Sequence, residues 1–240
     1  MSALNTQNAT DTLNQVAVEV GLLPVADPMG STEDHFIQLK YLMNTAGREL
    51  LLAHPWEAST RRHSFTTDGG GEYDLPDDYL YMINQTGWDG GNDAPLAGPL
   101  SPQEWVYSSN LIAIPLRVMF RIQDGVLTIL NDTAGAEVSF EYHSRNWVFD
   151  GSVAPATYHN EITKGTQVPL FDQTVFSRYL KVKWLDAKGF DSSKAQDDFN
   201  QMFDFVASKD KGARILNAGA SRGGVRLLNA YNVPDTGIGL

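Results

Sequence analysis

The chain has 240 residues, 42% hydrophobic and 10% aromatic content, and a formal net charge of −11. Such a composition can bury a core, and its acidity excludes general binding to nucleic-acid phosphates, which needs Lys and Arg to displace counterions. The absence of cysteine removes disulfides, thiolate metal sites and thiol nucleophiles together.

Apolar residues first recur at helical spacing from about Asp11 to Gly21, as Leu13, Val16, Ala17 and Val20. Thr10 or Asp11 is the expected cap, with Gly21 and Pro24 as the stop. A second helix is expected to open at Ser31, with Asp34 three residues on as a variant capping box. Its stripe is Phe36, Leu39, Met43, Ala46, Leu50 and Ala53, and it ends before Pro55. Gly47 inside this helix costs about 1 kcal/mol against alanine, so a close neighbour is expected there.

From about Arg61 to Pro169 turn signals become frequent, among them Gly69-Gly70-Gly71, Asp89-Gly90-Gly91, Asp124-Gly125, Gly135 and Asp150-Gly151. Val118, Phe120 and Ile122 alternate, Asp124-Gly125 predicts a hairpin, and Val126 to Leu130 returns. Val138, Phe140 and Tyr142 predict one buried face of a further strand. Helical spacing resumes near Asp172 with two stripes, Val175, Tyr179, Val182 and Phe176, Leu180, Trp184, which predicts a helix packed between others and broken by Gly189. A last helix is expected from a Ser193/Gln196 capping box to Gly212, with Ala195, Phe199, Met202, Phe203 and Val206 inward and Lys209 and Lys211 at its negative end.

These runs predict an α+β fold: a four-helix bundle from the N- and C-terminal segments, a central antiparallel β domain and an extended C-terminal tail. The expected divisions are 1–60, 61–169, 170–212 and 213–240. The tail carries Arg214, Arg222 and Arg226 against Asp235, hence +2, leaving −13 on the remainder. Arg214-Ile215-Leu216-Asn217-Ala218 recurs as Arg226-Leu227-Leu228-Asn229-Ala230. Aliphatic pairs are uncommon in free tails, so docking of this segment on another chain is expected, with folding back on its own domain as the alternative.

The chemistry-bearing motifs fail on context. Gly219-Ala220-Ser221-Arg222-Gly223 fits a nucleophile elbow, but no helical stripe follows and no histidine lies beyond His159. His35, His54, His63, His143 and His159 hold no metal-ligand spacing; His54 and His63 flank one loop. Asp77-Asp78 and Asp197-Asp198 suit a turn and a helix start. Gly69-Gly70-Gly71 lacks the Lys and helix of a phosphate loop. Trp56, Trp88, Trp105 and Trp147 serve equally as core or as a sugar-binding face. No cofactor and no catalysis are expected. The opening Met1-Ser2-Ala3-Leu4-Asn5 has no signal-peptide pattern, and no apolar run approaches the roughly 18 residues that span a bilayer.

The chain resembles the head-to-tail adaptor (connector, gatekeeper or tail tubular) proteins of short-tailed bacteriophages. The resemblance runs from Leu13 to Val148. It rests on Val20-Gly21-Leu22-Leu23-Pro24-Val25, His54-Pro55-Trp56-Glu57-Ala58, Gly71-Glu72-Tyr73-Asp74-Leu75-Pro76-Asp77-Asp78-Tyr79, Trp88-Asp89, Ser101-Pro102-Gln103-Glu104-Trp105, Phe120-Arg121-Ile122 and Phe140-Glu141-Tyr142-His143-Ser144. It implies a virion protein of the head–tail interface, made in the host bacterial cytoplasm, with no membrane partner. Twelve copies would form a ring joining the portal protein to tail tube or nozzle proteins, with DNA only in transit. Arg214, Ile215, Leu216, Arg222, Arg226, Leu227 and Leu228 would be the portal-docking groups. The alternatives are another tail tube or nozzle component, or a carbohydrate-binding β domain using exposed tryptophans.

Overall fold

The computed structural model describes residues 7–110 and 118–210. Five α-helices lie among them: α1 (Ala9–Glu19), α2 (Asp34–Ala53), α3 (Pro102–Ser109), α4 (Gln173–Lys188) and α5 (Ser193–Asp210). Between α2 and α3 run strands β1 (Thr60–Thr66), β2 (Glu72–Asp74), β3 (Tyr79–Met82), β4 (Trp88–Asp89) and β5 (Ala94–Pro95). Between α3 and α4 run β6 (Met119–Gln123), β7 (Val126–Leu130), β8 (Glu137–Ser144), β9 (Val148–Asp150), β10 (Thr157–His159) and β11 (Val168–Pro169). The architecture is α+β.

Helix α4 is the hub of the helical part, packing against α1, α2 and α5. Its expected burial is met: Val175, Phe176, Leu180, Val182 and Trp184 lie in the core. Its remaining polar residues reach the neighbours. Lys181 pairs with Glu19 of α1 at 3.1 Å, and Lys183 pairs with Glu49 of α2 at 2.5 Å, where the Tyr179 hydroxyl also donates. Burial opposes the Glu49 charge, but these two hydrogen bonds outweigh it and hold the carboxyl below its ordinary range.

Three helix starts differ from expectation. Asn8, not Thr10 or Asp11, caps α1, its Oδ1 accepting from Asp11 N at 2.9 Å. The reason is tertiary: Ala9 N and Thr10 N donate to the carbonyls of Gln167 and Gly165, which sets the start earlier. Helix α2 starts at Asp34 rather than Ser31, because Ser31 Oγ is used by Glu33 N and the Ser31 and Met29 carbonyls accept from Lys40 Nζ. Ser193 makes no capping box with Gln196; the Asp191 carboxylate accepts from both its amide and its hydroxyl, and an ionised acceptor is the stronger one. Ala53, expected inward, is exposed. Gly212 and Lys211 lie outside the described residues.

The β part is antiparallel throughout its named strands. Strand β8 is central, flanked by β1 (Thr60 opposite His143, Phe65 opposite Val138), β3 and β4, with β5 beyond β4. Strands β2, β7 and β6 form a second sheet, and β10, β9 and β11 a third. Asp124 and Gly125 both take positive φ (52° and 81°), as a two-residue hairpin turn with right-handed strand twist requires. Val138, Phe140 and Tyr142 are buried as expected, but so are Ser139 and His143 on the opposite face. That face is covered by polar partners: Arg62 donates to Ser139 Oγ, and Ser59 meets His143.

Two apolar cores result. One collects Leu96, Phe120, Leu127, Ile129, Val138, Phe140 and Tyr142 between the sheets. The other is helical and also takes in Trp56, Trp147, Val148, Ile162 and Phe171, so the segment after β8 packs with the helices. Trp147 is fully buried, stacks on Phe171 (5.6 Å, 21°) and lies against Gly47 of α2, where any Cβ would overlap the indole. This is the close neighbour expected from Gly47. The excursion between β9 and β11 closes on Asp150, whose buried carboxylate accepts from Ser152, Gln167 and Lys164. The Ser152 hydroxyl and amide, then Gln167 and Lys164, hold this carboxyl far below its ordinary range.

Gly47→Ala is therefore expected to lower unfolding free energy by about 1–3 kcal/mol in urea titration, overriding alanine's helix propensity. Because the folded pKa of Asp150 is depressed, its stabilisation is complete above the ordinary Asp range and is lost as pH falls through the folded value. Asp150→Asn is expected to unfold more easily than the parent at neutral pH, with the gap narrowing as unfolding is measured at progressively more acidic pH.

Candidate interaction surfaces

The tail residues Arg214, Ile215, Leu216, Arg222, Arg226, Leu227 and Leu228, and the Ser221 motif, lie outside the described residues. The structure defines where that segment begins. Asp210 at the end of α5 is tied to the α2–β1 connection: its Oδ2 accepts from Glu57 N at 2.8 Å and stands 3.3 Å from His54 Nε2. Phe203, two turns earlier on the inward face of α5, packs edge-on to His54 and Trp56.

The other chemistry-bearing groups fill structural posts. Gly69 N and Gly71 N both donate to Asp132 Oδ2, and Gly70 N to Asp68. The amides that would cradle a phosphate are thus already taken by carboxylates. The Tyr73 hydroxyl donates to Asp132 and Asp68; burial and the hydrogen bond to Asp132 push it up to about 12. Asp78 accepts from Tyr142 (2.7 Å) and Ser144 (2.6 Å), locking the turn before β3 onto β8, while Asp77, Asp197 and Asp198 are exposed. His63 packs on Phe65 and Phe140, where burial, opposed by Asp78, lowers its pKa. His54 instead sits with Trp56, Phe203 and Asp210.

One pairing escaped the sequence. Ser59 Oγ lies 2.7 Å from His143 Nδ1 across 84 residues. Both are buried, and Ser59 Oγ also lies within hydrogen-bond distance of the Trp56 carbonyl, at 2.8 Å. A Ser–His pair buried in this way offers no access for substrate and reads as a core hydrogen bond. Among the described residues no three His, Asp or Glu side chains are placed to hold a metal ion.

The tryptophans divide. Trp56 and Trp147 are core, as is Trp184; Trp56 Nε1 donates to the Leu50 carbonyl. Trp105 is half-buried beneath Arg121, and Trp88 is 43% exposed. No joint sugar-binding face is built from them.

Large apolar side chains nevertheless reach the surface of helices, singly at Val18 of α1 and Phe205 of α5, and in groups on α2 and α3. On α2, Ile37, Tyr41 and Leu52 point outward. Helix α3, which lacked an apolar stripe to announce it, is set by a Ser101/Glu104 capping box with Pro102 at its first turn. It is held to β6 by Trp105 against Arg121 at 4.4 Å, and leaves Val106 and Tyr107 exposed over an open depression of about 630 Å³ shared with Gln103 and Asn110.

Grouped apolar side chains on a helix surface are candidate sites for another protein to cover. The chain belongs to the SU10 adaptor protein family, whose model matches residues 7–223. It is thus a phage structural adaptor, a component of the virion that contacts other virion proteins. A comparison with curated proteins finds no match. No helix among the described residues is long and apolar enough to cross a membrane.

Replacing Val106 or Tyr107 by serine is expected to change unfolding free energy by no more than about 0.5 kcal/mol, as at other exposed positions. Denaturant titration checks this, and a larger loss would show that the chain itself packs on this face.

Proposed function

We propose that the protein is a ring-forming head-to-tail adaptor that joins the portal to the tail and continues the DNA channel, acting through geometry and without catalysis. The observation that carries this reading is the family match over residues 7–223, which spans both cores and the first of the two Arg-aliphatic segments of the tail. Two apolar faces on different elements, α2 and α3, suit the heterologous contacts from which closed rings are built. The net charge of −11 suits a channel that DNA traverses without adhering. Arg214, Ile215, Leu216, Arg222, Arg226, Leu227 and Leu228 are the portal-docking groups, and twelve copies the expected ring.

A second reading, a tail tube or nozzle component, draws on the exposed Val106 and Tyr107 beside the β sheets. The carbohydrate-binding alternative loses its basis with Trp56 and Trp147 in the core.

Mixing the protein with its portal and imaging the product separates these readings. A ring seated on the portal is expected; a folded protein that ignores the portal but joins a tail tube would overturn the adaptor assignment. A chain truncated after Gly212 is expected to stay folded by circular dichroism and to lose portal binding. Undiminished binding would remove the docking role of the tail.

A further inference from the structure

Helix α2 carries a second face opposite its core stripe. Ile37, Tyr41, Thr45, Arg48 and Leu52 follow one another at spacings of four, four, three and four, so they line one side of the helix. All five are exposed, Tyr41 at 74% and Leu52 at 70%. The polar members are already engaged: Thr45 Oγ1 donates to the Tyr41 carbonyl at 3.0 Å, and Arg48 pairs with Glu161 at 3.3 Å. An outward helix face is ordinarily polar; this one offers mainly Ile37, Tyr41 and Leu52.

The described chain ends at the C-terminal end of α2. Asp210 is fastened to Glu57 N and His54, and His54 is the C-cap of α2, two residues beyond Leu52. The segment that follows carries Ile215-Leu216 and Leu227-Leu228, each pair directly preceded by an arginine. Leu216 lies six residues past Asp210, a reach of at most roughly 20 Å. From Leu52 to Ile37 the helix rises roughly 22 Å, and the eleven residues from Leu216 to Leu227 extend to roughly 36 Å. At the far end of the stripe Asp34 is exposed, as is Glu33, which also faces His35.

We propose that in the free protein the chain's own segment 211–228 docks along this face of α2. Ile215 and Leu216 cover Leu52, Leu227 and Leu228 cover Tyr41 and Ile37, and Arg226 lies beside Asp34. Two apolar surfaces that would each be exposed to water then cover one another. Insofar as the same residues are the portal-docking groups of the proposed function, portal binding exchanges one site for the other and uncovers α2 only on the assembling particle. That consequence rests on the proposed function; the docking itself does not.

The cysteine-free chain permits a direct test. Full-length protein is prepared with Leu52→Cys and Leu216→Cys, with Tyr41→Cys and Leu227→Cys, and with the control pair Tyr107→Cys and Leu216→Cys, and is oxidised at low concentration without portal. The two α2 pairs are expected to close within a single chain about tenfold faster than the control, since docking raises the effective concentration. Equal rates for all three, or products formed only between chains, would overturn the proposal. Hydrogen exchange supplies a second measurement: amides of 214–228 are expected to be protected in the parent and to lose protection in Tyr41→Ser/Leu52→Ser, with an unchanged thermal midpoint. Absence of protection in the parent would also overturn it. Neither measurement uses the portal, so failure of portal binding and failure of tail docking are read separately.

Discussion

The indole of Trp147 against the bare backbone of Gly47 is the contact on which the two halves of this molecule depend. Trp147 follows β8 by three residues, so it carries the central strand of the sheets directly into the helical core. Its Nε1 donates to the Asn160 carbonyl at 2.8 Å, and its ring lies on Phe171 and near Phe176 at the start of α4. One side chain thereby sets the approach of α2, the docking of the β9–β11 segment and the entry of α4. A side chain at position 47 would push α2 away from all three.

Around that point the junction is fastened twice more. Trp56 bonds back to the end of α2, and Ser59 joins His143 just before β1 begins. The strand pair β1–β8 therefore starts from a fixed base, and the sheets project from the helical core in a defined direction. Buried polar pairs of this kind are satisfied on both sides, which rigidifies a junction that apolar packing alone would leave less specific.

In this adaptor the grouped exposed apolar side chains stand on separate elements. The α2 face belongs to the helical core, and the α3 face is held to the sheet part through Trp105 and Arg121. Asp210, the last described residue, is fastened to the connection between α2 and β1.

Much of this was written in local pattern. The 3.6-residue stripes of α1, α2, α4 and α5, the Asp124-Gly125 hairpin and the need for a close neighbour at Gly47 all follow from periodicity and backbone freedom, which act within a few residues. The sequence by itself determined those elements and the α+β class. It did not determine α3, whose capping box stands without an apolar stripe because the helix buries none of its residues in the core. Nor did it determine the cap at Asn8, the carboxylates that occupy the Gly69–Gly71 amides, or the Ser59–His143 pair. Each of these joins groups far apart in the chain, and such partners are chosen only when strand register and helix packing bring them together. The tertiary structure also decided which tryptophans are core and which outward side chains remain uncovered, because burial belongs to the assembled fold rather than to the residue type.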